Sequence, residues 1–392
     1  MEENKISKID ISIYLIIIIF MCISCAFIYS AQKDLPYLDN FALKQAVWFI
    51  TGIIVSSLIF LFDFEQIKKL SLYLYLFGIL ILLLLMISPE SIAPEIKGIK
   101  AWFSVPGFGS IQPSELMKIF LILFLARIIS DHNNINTTKS LRLDIWLLIK
   151  IFLITLLPLL IVVLQPDAGT GMVFVSIMLG MILISRIDWR IIVSIFGCGI
   201  ALIVFLALCF LYNQEILLAF LGQYQLDRIH SWLDPFSDSL GISYQLSQSI
   251  LSIASGMLYG KGFTEGIVYV PEAHSDFIFT TISEEFGFLG SSIIVTLYFA
   301  LIYRIFRIAF KNKGEYEILI ASGVCSMLTF HVFENIGMVI GLVPITGIPL
   351  PLFSYGGSSV LATIFALTII INISKNTKKY MFGGGDNYNT KE

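Results

Sequence analysis

Apolar and polar positions separate into long blocks along this chain. Uncharged or nearly uncharged apolar runs recur at roughly 11–30, 43–62, 70–87, 114–130, 145–164, 172–186, 190–212, 286–306, 317–343 and 352–373. Runs of this length cross the hydrocarbon core of a bilayer as helices. Lipid offers no water to backbone groups, and a helix satisfies them internally. The pattern predicts an all-α integral membrane protein with about ten transmembrane helices. No small-residue cleavage site follows the first run, Ile11 to Ser30, so it reads as a retained helix and not as a signal peptide.

The basic residues orient the ladder. With the N-terminus inside, the inner loops collect 18 of the 25 lysines and arginines. The outer side holds only Lys33, Lys44, Lys97, Lys100, Arg228 and Lys261, and Lys118 lies within a helix. Both termini are therefore expected in the cytoplasm, as a multi-pass protein of a bacterial cytoplasmic membrane would have them. The chain reads as one polytopic domain, 1–392, with a polar tail at 383–392 expected to be disordered. Two outer segments stand apart from the ladder. Residues 88–113 carry prolines, glycines and Trp102. Residues 213–285 form a large outer loop between helices 7 and 8, too long to lack order of its own. Inside it, Tyr244 to Tyr259 has a helical apolar pattern but is short and rich in Ser and Gln, so a short interfacial or re-entrant helix is expected.

Composition narrows the class. The chain is 57% hydrophobic and 14% charged, which excludes an ordinary soluble domain. A net charge of −3 gives no reason to expect nucleic acid. The five cysteines all lie in apolar blocks, so no loop disulfide is expected. Cys22 and Cys25 read as small packing residues despite their C-x-x-C spacing. The histidines are scattered, without zinc-type spacing. No fixed-period repeat and no inverted pair of broken hydrophobic segments is visible, as a transporter would have.

Candidate chemistry gathers near the outer face. Pro271 to Phe277 holds Glu272, His274 and Asp276 just before helix 8. If Ser275 caps that helix, Asp276 sits in its first turn, where the dipole favours an ionised carboxylate. If the segment is extended, Glu272, His274 and Asp276 point the same way and resemble a site for a hard metal. Read blandly, Asp276 is only a capping charge. Glu115 and Lys118, three apart at the start of helix 4, can pair on one face. Ionisable groups in a membrane tend to mark function. Glu334 in helix 9 is another such group, with no evident basic partner in the sequence. Arg228, Lys261 and Lys118 are candidate phosphate-binding cations on a side that has few. Trp102 can stack on a sugar or sit in the interfacial aromatic belt. Gln165 to Gly171 is a glycine-containing turn without the G-K-[ST] ending of a P-loop. Ser354 to Ser359, with Ser358 near the start of helix 10, suits close packing or an anion at a helix N-terminus.

Four of these segments together resemble the signatures of the SEDS family, the shape, elongation, division and sporulation proteins. They are Trp102 with the Gln112–Lys118 run, Gln165–Gly169, Pro271–Phe279, and Pro349–Ser359. They occur in order across nearly the whole chain. Asn335–Met338 and Gly347–Pro351 resemble the RodA branch more than the FtsW branch. The resemblance implies a peptidoglycan glycosyltransferase that polymerises lipid II and releases undecaprenyl pyrophosphate. It implies Asp276 as the catalytic aspartate, with Trp102, Glu115, Lys118 and Arg228 at other functional positions. Lys261, Glu272, His274 and Ser358 complete the expected substrate-binding set. A class B penicillin-binding protein is the implied transpeptidase partner, and a divalent cation the implied requirement, with no organic cofactor. Whether Asp276 serves as base or as ligand of a Mg or Mn ion stays open. The rival classes are a flippase or transporter of the same lipid and a non-enzymatic scaffold of the wall-synthesis complex. An acidic cluster at the outer surface speaks against the first, and the second requires Asp276 to be dispensable.

Overall fold

The computed structural model describes residues 11–34, 40–95, 98–105, 109–136, 140–212, 214, 218, 222–238 and 240–382. Its helices are α1 (Ile11–Ala31), α2 (Phe41–Ser57), α3 (Phe64–Ile87), α4 (Pro113–Ile135), α5 (Leu141–Leu164) and α6 (Ala168–Ile184). They continue with α7 (Trp189–Tyr212), α8 (Gln223–Leu233), α9 (Tyr244–Gly256), α10 (Ile278–Lys311), α11 (Glu315–Val339) and α12 (Gly357–Phe382). Every expected span has its helix among the described residues, and α8 and α9 belong to the long outer segment. The tail expected to be disordered, 383–392, lies outside the described residues.

Eight of the described helices are long and apolar enough to cross a membrane. α6 is shorter, and α4 carries Glu115, Lys118, Arg127 and Asp131. The charged helix is tolerated because it is the centre of the bundle. α4 packs against α3, α5, α6, α11 and α12. Glu115 and every side chain from Met117 to Ala126 are buried, so Glu115 and Lys118 meet protein and not acyl chains. α7 is the opposite case. Only Cys209 is buried in it, and its apolar side chains face outward on all sides, as a lipid-bathed helix requires.

Two irregular pieces shape the outer end. A short antiparallel hairpin pairs β1 (Phe103–Val105) with β2 (Gly109–Ile111), with Phe103 opposite Ile111. It delivers the chain to Pro113 at the first turn of α4, where a missing N–H costs nothing. The second is a break in α10 at Gly287, with φ 62°. The expected span began at 286, so it corresponds to the part of α10 after this break. The freed backbone groups are taken up by the 257–262 turn. Phe288 N–H donates to Met257 O at 2.9 Å, and Lys261 N–H donates to Glu284 O at 3.0 Å. α9 packs against α10 through small buried residues, Ser252 and Gly256, while Ser249 donates to Val339 O of α11 at 2.6 Å.

Candidate active site

A cavity of about 410 Å³ opens among the outer ends of these helices. Its wall includes Trp102, Glu115, Arg228, Glu272, His274, Asp276 and Ser358, seven of the residues expected from sequence. They come from the β-hairpin approach, α4, α8, the 271–277 turn and α12, so no stretch of sequence builds the site alone. The volume lies within the usual range for ligand pockets, roughly 300–1,000 Å³.

Asp276 stands on a compact turn and not in a helix. α10 begins at Ile278, its N-cap is Phe277, and no side chain caps it. The expected Ser275 cap is not formed. Ser275 Oγ donates instead to Glu272 Oε2 at 3.1 Å, and Phe277 N–H closes the turn on Glu272 O at 3.2 Å. The extended alternative also fails, yet Glu272, His274 and Asp276 all reach the cavity wall. Glu272 has φ 60°, a conformation that costs a non-glycine residue about 1 kcal/mol and persists where surrounding bonds over-determine it. Two ties hold the turn. Tyr355 N–H donates to His274 O at 2.9 Å, and Phe41 stacks on the His274 ring with centroids 4.9 Å apart.

Asn335 of α11 is the third tie. Its Nδ2 donates to Asp276 O at 2.7 Å and to Ile348 O at 2.8 Å. One fully buried amide thereby clamps the Asp276 turn to the 343–356 segment. That segment comes close enough that a Cβ at Gly347 would lie 3.5 Å from Asp276 Oδ2, and Gly347 has φ 75°. Buried Gln45 anchors the other end of the segment, donating to Ser354 O at 3.0 Å.

Beneath the cavity, Lys118 Nζ lies 2.8 Å from Glu115 Oε1 and 3.1 Å from His331 Nε2. All three side chains are buried. With a protonated lysine as donor, His331 Nε2 accepts, and the other ring nitrogen then donates toward Pro349 O, 3.4 Å away. Glu115 and His331 reach the cavity wall, and Lys118 supplies positive charge from behind them. The Glu115–Lys118 pairing expected from the i, i+3 spacing is therefore present and is buried.

The Gln165–Gly171 turn also reaches the cavity. Asp167 caps α6 by accepting from Thr170 N at 3.0 Å. Its other oxygen accepts from Gln112 Nε2 at 2.9 Å and from Thr170 Oγ1 at 2.8 Å. Gln112 N–H donates to Ser358 Oγ at 2.8 Å. Ser358 thus ties the start of α4 to α12.

Arg228 of α8 lies over the Tyr224 ring at 4.9 Å and donates to Tyr224 Oη at 2.5 Å and Gln245 Oε1 at 3.3 Å. Lys261 is placed elsewhere. It pairs with Glu284 at 2.6 Å, and the same carboxylate accepts from Ile267 N–H at 2.9 Å and Val268 N–H at 3.1 Å. Lys261 therefore helps to pin the 261–268 loop onto α10 and does not line the large cavity. Glu334 is buried in α11 and does not itself line that cavity, but its carboxyl is hydrogen-bonded to Thr346, which does. Among the described residues no three His, Cys, Asp or Glu side chains converge in a metal-binding group. The described residues by themselves build no closed cage of such side chains for the expected divalent cation.

Sequence reasoning missed three polar residues of the site. His331 read only as one of four scattered histidines, and Asn335 only as part of a branch signature. Asp167 read only as part of a turn. The usable signal was the Asp-x-x-Thr spacing of 167 and 170, which is an N-cap pattern. No local pattern brings His331 or Asn335 to the Asp276 turn.

A charged central helix, a carboxylate clamped at the outer mouth of a cavity and a lipid-facing exterior define a membrane protein whose site opens on the outer side of a helix bundle. The family model described as cell cycle protein, FTSW_RODA_SPOVE, matches residues 7–379, and the chain belongs to this family. It is 33% identical to stage V sporulation protein E of Bacillus subtilis (strain 168), over 96% of this chain and 100% of that one. It is 37% identical to peptidoglycan glycosyltransferase MrdB of Escherichia coli (strain K12), over 72% of each. Among solved structures it is similar to a chain from the structural coordination of polymerization and crosslinking by a peptidoglycan synthase complex. That match has a TM-score of 0.77 and 27% identity, and covers 94% of this chain and 98% of that one.

Proposed function

We propose that this chain is a peptidoglycan glycosyltransferase that polymerises lipid II into glycan strands and releases undecaprenyl pyrophosphate. The observation that carries the reading is the placement of Asp276. Its backbone is clamped by Asn335, and it lies on the wall of a cavity shared with Arg228 and Trp102. The relative named peptidoglycan glycosyltransferase MrdB supports the reaction class.

The acceptor GlcNAc 4-hydroxyl attacks C1 of the donor MurNAc, and the bond from C1 to the pyrophosphate oxygen breaks with inversion. A neutral hydroxyl is a poor nucleophile, and Asp276 takes its proton as the new glycosidic bond forms. Negative charge grows on the leaving pyrophosphate. Arg228 meets it with a planar guanidinium that its neighbours already orient, and Lys118 adds positive potential from behind the wall. Were a Mg or Mn ion to accompany the substrate, Asp276 and Glu272, the two carboxylates of the turn on this wall, would hold it, and it would supply neutralising positive charge there. Trp102 offers an aromatic face to a sugar. Both substrates are lipid-anchored, which is why the site belongs at the outer surface of a helix bundle.

The partner is a class B penicillin-binding protein that crosslinks the strands, a reading supported by the similarity to a chain of a complex that joins polymerization to crosslinking. The physiological role is wall elongation and cell shape, supported by the RodA-like Asn335–Met338 and Gly347–Pro351 segments.

The test is polymerisation of fluorescent lipid II by the purified protein with its cognate transpeptidase, comparing wild type with Asp276→Ala. Strands from wild type only are expected. Equal strands from both would remove Asp276 from the chemistry. Strands from neither, under conditions where a control polymerase works, would favour the flippase and scaffold readings.

A further inference from the structure

A second cavity, of about 280 Å³, adjoins the first, and its whole wall comes from the outer segment between residues 224 and 272. Tyr224, Arg228, Gln245 and Glu272 line both cavities and form the partition between them. Asp227 and Tyr244 line only the second. The partition is held in place. Arg228 is oriented by Tyr224 and Gln245, and Gln245 Nε2 reaches Pro271 O at 3.5 Å. Glu272, at φ 60°, belongs to both the partition and the turn that carries Asp276.

We infer that this second chamber is a saccharide subsite that holds the nascent glycan strand beyond the sugar at which the bond is made. The inference rests on the glycosyltransferase reading. Two phenols, an amide and two carboxylates offer stacking faces and paired donors and acceptors, which suit sugar hydroxyls and N-acetyl groups. A lipid tail would leave the charged groups of Asp227, Arg228 and Glu272 facing hydrocarbon. The position fits a polymer. A strand held there is clear of the hydrocarbon layer, one partition away from Asp276. An enzyme that adds many units needs such a hold, since strand length is set by addition against dissociation.

The experiment uses the full-length protein in nanodiscs. Binding of a soluble GlcNAc–MurNAc tetrasaccharide is titrated for wild type, Asp227→Asn, Tyr244→Ala and the ring-retaining Tyr244→Phe. Loss of a stacked ring is expected to weaken binding by about tenfold in Tyr244→Ala, with Tyr244→Phe close to wild type. Asp227→Asn is expected to weaken it, and Asp276→Ala to leave it unchanged. In the lipid II assay with the transpeptidase, Tyr244→Ala is expected to consume lipid II at the wild-type initial rate and yield strands shorter by a comparable factor, the loss lying in dissociation. Unchanged binding and strand length in both Asp227→Asn and Tyr244→Ala would overturn the subsite while leaving the polymerase reading intact. Loss of initial rate together with length in a folded Tyr244→Ala would also overturn it, by placing the chamber in the chemistry. A wild type that makes no strands would count against the polymerase reading, and the tetrasaccharide titration would still decide the subsite.

Discussion

Lys118 is 2% exposed, between a carboxylate at 2.8 Å and an imidazole at 3.1 Å. Removing one member of a buried ion pair leaves the other uncompensated, at a cost of about 3 kcal/mol or more. Lys118→Met is therefore expected to lower the unfolding midpoint as well as turnover. Adding Glu115→Gln removes the stranded charge, so the double variant should recover most of the stability and little of the turnover. Recovery of both together would mean that the pair serves only the fold. At Asn335 the expectation is sharper. Asn335→Asp keeps the shape and replaces a donor to two carbonyls with an acceptor. A lost pair of buried hydrogen bonds is worth roughly 1–3 kcal/mol, so kcat for lipid II is expected to fall by about tenfold or more. Steady-state kinetics on the folded variant checks this, and an unchanged kcat would free the Asp276 turn from its clamp. The Glu115–Lys118 pair was legible in the sequence because i, i+3 spacing on a helix is local. Its third member, His331, lies 213 residues away and was not.

α10 shows how an element can be right in kind and wrong in detail. Its membrane-crossing part was visible as an apolar run, but the helix starts earlier, at Ile278, and breaks at Gly287. The break depends on a neighbour. A Cβ at Gly287 would sit 2.5 Å from Gly260 N, and one at Gly260 would sit 2.1 Å from Glu285 O. Both glycines also hold positive φ. Gly260→Ala and Gly287→Ala are each expected to destabilise the protein by about 2 kcal/mol or more. Thermal unfolding of the purified variants checks this, and wild-type midpoints would show that the two backbones do not meet so closely. The same packing explains Lys261. As an outer-side cation it was expected to serve the substrate. It answers instead to the carboxylate of Glu284, which also receives the backbone of the 267–268 loop.

Across the whole molecule, burial reverses the order that hydropathy suggests. α4 is charged and central, while α7 is among the most apolar helices and has almost nothing buried. A bilayer accounts for both, because lipid solvates an apolar face and the bundle interior is where polar groups find partners. The lysine and arginine bias also fixes which end faces out. In a background with the native cysteines replaced, Asp238→Cys is expected to react with a membrane-impermeant maleimide on intact cells. Asn312→Cys, in the turn between α10 and α11, is expected to react only after permeabilisation. Reversed labelling would invert the topology and place the cavity on the cytoplasmic side.

The chain by itself determined the helix ladder, its orientation and seven of the residues that line the large cavity. The bilayer reads these properties one segment at a time, through the length of an apolar run, the charge of a loop and the residues of a motif. Only the tertiary structure decided how the site is held together. The Asp276 turn is fixed by Asn335, 59 residues on, and Gln112 meets Ser358 at a separation of 246. Lys261 was drawn away from the large cavity by a carboxylate 23 residues later. Such pairings follow from which helices pack against which, and that choice depends on the complementarity of whole faces, which no local spacing in the sequence encodes.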